Sequence, residues 1–231
     1  MRIAFSGAAC TGKTTTLNTF LQKWTGYKTP QETYRSLISE NNHSKKTDKK
    51  LQKAILEFML NQQKQYTAHD KVAFDRCGLD NIVYTIWALD KGKKGFTDAF
   101  TNECIELVKE SMRHLDIIFW CSRDLMGPAE NNNVRETDPT YISETDNIFR
   151  AIYGQLQTSG VSPFFPPNDS PALIELKGGL DERLNLVSMY VNEDGNMYGE
   201  EQSLVNMDEI AKMEALLREQ QGLASKEKGI L

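Results

Sequence analysis

The stretch GAACTGKTT, Gly7 to Thr15, begins only six residues into the chain, directly behind MRIAFS. Its spacing, Gly7, four residues, then Gly12, Lys13 and Thr14, fits G-x-x-x-x-G-K-[ST]. Ile3, Ala4 and Phe5 before it form an apolar run that predicts a buried strand. Leu17, Phe20, Leu21 and Trp24 after it recur at helical spacing and predict a helix over 14–24. Strand, glycine loop and helix in that order are the setting of a phosphate-binding loop. Backbone N–H groups converge there on phosphate oxygens, and the helix N-terminus adds partial positive charge. The predicted nucleotide-binding segment is Gly7, Ala8, Ala9, Cys10, Thr11, Gly12, Lys13, Thr14 and Thr15. Lys13 would reach the β- and γ-phosphates of ATP, and the Thr14 hydroxyl would ligate Mg²⁺.

Working outward, 231 residues suffice for one well-cored domain. No apolar run approaches the roughly 20 residues of a membrane span, and the start lacks the pattern of a signal peptide. Cys10, Cys77, Cys104 and Cys121 form no C-x-x-C pair, so neither a zinc site nor a disulfide framework is indicated. Reduced thiols and a cytoplasmic location are the expectation. A net charge of −5 argues against broad, sequence-independent binding to nucleic acid. The one basic cluster, Lys45, Lys46, Lys49 and Lys50, reads as a solvated helix start.

Further along, GYKTP (26–30) reads as a short second strand and residues 31–41 as helical. A long amphipathic helix is predicted from about Thr47 to Tyr66. KVAFD (71–75) is a buried strand, and Leu79, Ile82, Val83, Ile86 and Trp87 mark the next helix. Another helix runs from about Asp98 to His114, then DIIFWCS (116–122) is the strongest strand in the chain. ALIEL (172–176) is the last strand, followed by Gly-Gly and a helix from Asp181 to Val191. Short apolar strands alternating with helices predict a three-layer α/β fold of five parallel strands flanked by helices. Its ligand belongs at the carboxyl edge of the sheet. Residues 1–191 form the predicted domain, and 192–231 a helical appendage, with an amphipathic helix over 207–219 and a frayed end.

Three stretches supply groups for a second substrate. VAFDRCG puts Asp75 and Arg76 at a strand end, on the sheet edge that carries Lys13. The acid can hold Mg²⁺ and the arginine a phosphoryl group or an anionic acceptor, while an ion pair shaping a turn is the structural alternative. TPQETYRSL supplies Glu32, a candidate general base, with Arg35 one helical turn on as a contact to the acceptor. An exposed i, i+3 pair is the alternative there. Residues 123–150 are polar and turn-rich, with Arg123, Arg135 and Arg150 along them, which is the composition of an arginine-bearing lid over about 123–147. Finally, Gly178 and Gly179, between Lys177 and Leu180, can line a purine or simply turn the chain into a helix capped by Asp181.

GAACTGKTT, PQETYRSL and FDRCGLDNIVY together resemble the P-loop kinases of the AAA-28-type family, which includes the ribosylnicotinamide kinase domains. More distantly they are similar to deoxynucleoside and thymidylate kinases. The resemblance covers roughly residues 1–191. It implies a five-stranded P-loop NTPase sheet, Lys13 and Thr14 on phosphates and Mg²⁺, and Glu32 as the acid after the second strand. It also implies Asp75–Arg76 as the DR pair and Arg135 as a lid arginine. Cys77 stands where such kinases often carry serine, and the lid lacks a clear R-x-x-x-R pattern. The implied activity is Mg²⁺- and ATP-dependent phosphoryl transfer to a hydroxyl of a nucleoside- or nucleotide-like acceptor. The stretch NNNVRETDPTYISETDNIF also resembles bacteriophage enzymes, some of which phosphorylate 5-hydroxymethyluracil in DNA, so a modified base in DNA is an alternative acceptor. A nucleotide-dependent regulatory module without transfer is the alternative of another class. A hydrolytic motor fits least, since no second carboxylate follows Asp75.

Overall fold

The computed structural model describes residues 1–34, 48–123, 138–192 and 194. In chain order the elements are β1 (Arg2–Ser6), α1 (Lys13–Lys23), α2 (Lys49–Gln63), β2 (Val72–Asp75) and α3 (Gly78–Asp90). They continue with α4 (Asp98–Met112), β3 (Ile117–Cys121), α5 (Pro139–Ser159), β4 (Ala172–Leu176) and α6 (Leu180–Ser188). Local chemistry sets several starts. Asp48, Thr97 and Asp138 cap α2, α4 and α5 by accepting from Lys50, Phe100 and Thr140 N–H, at 3.2, 3.2 and 2.9 Å. Pro139 at the first turn of α5 costs no hydrogen bond, because that N–H has no intrahelical partner.

All strand pairs are parallel, in the order β2-β1-β3-β4. Both faces of the sheet are covered, and side chains alternate between them with period two. Ile3 and Phe5 of β1, with Ile117, Phe119 and Cys121 of β3, face α1 and α6, where Leu17, Phe20, Leu184 and Val187 are buried. Ala4, Ile118 and Trp120 face the opposite layer, which α2, α3, α4 and α5 fill with residues such as Leu56, Ile82, Val108 and Phe149. Five buried residues in a row along β3 match its reading as the strongest strand.

The sheet has four strands, not five. The GYKTP segment contributes a single parallel bridge, Lys28 to Val72. Lys28 N–H donates to Lys71 O and its carbonyl accepts from Ala73 N–H, both at 2.9 Å. Pairing stops there for two physical reasons. Tyr27 turns inward, buried, with its ring centroid 4.9 Å from Phe20, and Pro30 has no N–H to extend a ladder. The other correction concerns the expected lid: residues 139–147 are the first turns of α5, a 21-residue helix whose Ile142 and Thr145 are buried. Of the long loop, 124–137 lies outside the described residues, as do 35–47, Arg35 and Arg135 among them, and 195–231, which hold the expected appendage. Among the described residues no helix is long and apolar enough to cross a membrane.

Candidate active site

The loop between β1 and α1 is shaped by close approach. Gly7 has φ +140°, and a Cβ on it would lie 2.6 Å from the Cys121 carbonyl oxygen at the end of β3. Gly12, with φ +81°, turns the chain into α1. Lys13 is buried, and its ammonium donates to the carbonyls of Gly7 (2.8 Å) and Ala8, folding the side chain back along its own loop. Burial, and after it the charge of Arg76, pushes the Lys13 pKa down to about 7. Thr11 Oγ1 donates to Ala8 O at 3.0 Å, while Thr14 is half-buried and Thr15 exposed. Cys10 also has positive φ, +58°, which a non-glycine residue adopts only under constraint. Ala8 and Ala9 are covered by Ile142, so the first turns of α5 pack on this loop.

Parallel pairing brings the second strand's chemistry to the same edge. Phe5 is in register with Asp75, so the chain leaves both strands at one level. Thr14 Oγ1 lies 3.5 Å from Asp75 Oδ2. A hydroxyl and a carboxylate side by side are the hard oxygen donors that suit Mg²⁺, and the pair fits that ion.

Arg76 has φ +83°, with its N–H bonded to Phe5 O at 3.0 Å. Its guanidinium donates to Tyr84 Oη at 2.5 Å and to Asp80 Oδ1 at 3.4 Å, between the rings of Tyr34 and Tyr84. Burial raises the Tyr84 pKa to about 12, so its hydroxyl stays protonated. Asp80, 1% exposed, gathers further donors: Ser6 Oγ at 2.7 Å, Gly7 N–H at 3.2 Å and Cys77 N–H at 3.1 Å. Burial pushes its carboxyl above the usual carboxylate range, against the pull of Arg76 and Lys13.

Glu32 is exposed and lines a cleft of about 350 Å³ together with Asp75, Arg76, Tyr34, Phe58 and Gln63. Its backbone carbonyl accepts from Gln62 Nε2 at 2.7 Å, tying the segment to α2. A second cavity of about 530 Å³ shares Pro30, Glu32, Phe58 and Gln62 with it. Lys13, Thr14, Asp75, Arg76 and Glu32 are therefore assembled around the loop and the adjoining cleft.

The remaining predicted residues stand further off. Arg123 follows β3, half-buried. Arg150 lies over the Trp120 ring and pairs with Asp146 (3.0 Å) and Glu175 (3.8 Å), latching α5 to β4. Gly178 and Gly179 lead into α6, Gly178 at φ +78°. The cap there is Glu182 rather than Asp181: its carboxylate accepts from Gly179 N–H at 2.7 Å. Two residues were missed. Asp80 had a signal, since it stands three residues after Cys77 at the start of an apolar helix, where an acid bonds back to the chain. Arg183 had none, being a charged residue on an ordinary helix, yet it is 2% exposed.

Residues 2–161, well over half of the chain, match the AAA_28 family, an AAA domain. The chain belongs to that family. Curated proteins return no match. Among solved structures, this AAA_28 chain is similar to deoxyadenosine kinase from M. mycoides, at 16% identity over 81% of this chain and 96% of that one, with TM-score 0.55. It is also similar to thymidylate kinase from Candida albicans (15%, 81% and 89%, 0.52) and to NadR solved with NR (13%, 81% and 47%, 0.53). At such identities the likeness shows a shared fold: a P-loop NTPase-like α/β domain with a parallel sheet flanked by helices.

Proposed function

We propose that this AAA_28 chain is a kinase that transfers the γ-phosphoryl group of ATP to a hydroxyl of a nucleoside- or nucleotide-like acceptor. The single observation that carries the reading is the meeting of two sets of groups at one sheet edge. Lys13 and Thr14 come from the glycine loop, and Asp75 and Arg76 from the next strand, with Thr14 and Asp75 3.5 Å apart. The cleft lined by Glu32, Asp75 and Arg76 supports a site for an acceptor beside the phosphates. In this reading Thr14 and Asp75 hold Mg²⁺, which when bound neutralises charge on the phosphate oxygens. Lys13 leaves the carbonyls of Gly7 and Ala8 and donates to the transferred phosphate. Arg76, steadied by Asp80 and Tyr84, offsets the charge that spreads over the phosphoryl oxygens in transfer. Glu32, which lines the same cleft as Asp75 and Arg76, takes the proton from the attacking hydroxyl. Gly178 and Gly179 lie against the donor base, while Arg35, Arg123 and Arg135 remain candidates for contacts to acceptor or phosphate.

The test is product formation from labelled ATP with nucleosides, nucleotides and hydroxymethylated DNA in separate reactions. Label in a nucleoside or nucleotide supports the proposal, and label only in DNA redirects it to a modified base. Slow ATP hydrolysis with every acceptor unlabelled removes it.

A further inference from the structure

Arg183 lies in the first turn of α6, one turn after the Gly178–Gly179 corner, with its own N–H bonded to Gly179 O at 3.1 Å. Its guanidinium is buried and reaches two different segments. Nη1 donates to the Thr11 carbonyl in the glycine loop, and Nη2 donates to the Ser122 carbonyl just beyond β3, at 2.8 Å. Among the described residues it makes no ion pair, and its Nε, also buried, finds no hydrogen-bond partner. A cation held in the interior without a carboxylate is costly, and such cost persists where something else supplies the counter-charge.

The Thr11 carbonyl explains where that counter-charge would sit. The Thr11–Gly12 peptide is planar and trans, so its C=O and N–H point in opposite directions. With the oxygen held by the Arg183 guanidinium, the Gly12 N–H points away from that side chain. We propose that Arg183 is a positioning residue for nucleotide phosphates: it fixes the Thr11–Gly12 peptide so that the Gly12 N–H donates into the loop, and it adds positive potential behind it. Planarity of the guanidinium matters because two carbonyls from separate segments must be met at once, which the single ammonium of lysine does poorly. The same side chain makes the loop sensitive to the corner at 178–179.

This inference rests on the phosphate-binding part of the proposed function, and tripolyphosphate alone, without base or acceptor, is the probe. In the full chain labelled with ¹⁵N-glycine, the Gly12 amide signal moves on titration with tripolyphosphate. Arg183→Met lowers affinity for tripolyphosphate and for MgATP by the same ten- to hundredfold, and Arg183→Lys recovers part of it. A merely structural arginine would lower the melting temperature and leave the Gly12 response unchanged. Wild-type protein that binds neither probe removes the proposed function and this inference together. Binding by the wild type with a stationary Gly12 amide, or by a folded Arg183→Met with unchanged affinity, overturns this inference alone. Should both variants fail to fold, Arg183→Gln, which keeps an amide donor, carries the same comparison of Gly12 response and tripolyphosphate affinity with wild type.

Discussion

Replacing Asp80 by alanine removes the carboxylate on which Ser6 Oγ, Gly7 N–H, Cys77 N–H and the Arg76 guanidinium converge. The site is 1% exposed, so water does not take over those donors. Each buried donor left alone costs about 1–3 kcal/mol, and a buried cation stripped of its partner brings the total for such changes to about 3–5 kcal/mol. For a chain of this size that is a fall in melting temperature of roughly 10–15 °C. Asp80→Asn keeps one acceptor but turns an amide toward donors, so it lies between alanine and wild type. Thermal unfolding followed by circular dichroism measures the shift, and MgATP titration on the folded fraction reads the loss of order at Gly7 and Arg76. If Asp80→Ala melts within about 2 °C of wild type, a shift that corresponds to about 1 kcal/mol or less, the carboxylate is not the hub described here, and the claim about Arg76 falls with it.

Other outcomes follow from the same geometry. Gly7→Ala forces an L side chain to φ +140° with its Cβ 2.6 Å from the Cys121 carbonyl, which costs about 2–4 kcal/mol and shows as a lowered urea midpoint. Lys13 titrates near 7 without ligand and rises beside phosphate, so MgATP binding at pH 7 takes up about half a proton. Affinity is accordingly level below pH 7 and falls as pH increases above it, and calorimetry in buffers of different ionisation enthalpy gives the proton count. Glu32→Gln lowers the turnover of phosphoryl transfer by roughly 10²–10⁴ while MgATP affinity stays constant, measured by steady-state kinetics beside direct titration.

What the sequence disclosed was whatever depends on near neighbours in the chain. The glycine loop, the helix behind it and the apolar strands all announce themselves through spacing, and β1, β2, β3 and β4 lie where that spacing puts them. GYKTP was misread because strand length depends on what the partner offers: one bridge is satisfied at Lys28, and Tyr27 finds more apolar contact against Phe20 than an extended edge would give. The first turns of α5 were hidden because Pro139 and a run of polar residues read as loop, while Ile142 is apolar for the sake of Ala8 and Ala9 far earlier in the chain. Asp75 and Arg76 were legible from their place at a strand end. That Asp80 and Tyr84, four and eight residues on, orient the arginine was not, because it depends on the left-handed backbone at Arg76 (φ +83°), which residue spacing does not show.

The glycine loop is clasped from both helical layers. Asp80, from α3, grips Gly7 on one flank, and Arg183, from α6, grips Thr11 on the other. A nest anchored in this manner has lost its conformational freedom at the time of folding, not at the time of association. On the proposed function, a triphosphate arriving there would meet a backbone already set and move only the Lys13 side chain, so most of the entropy of ordering would fall on other segments, and selectivity among guests with it.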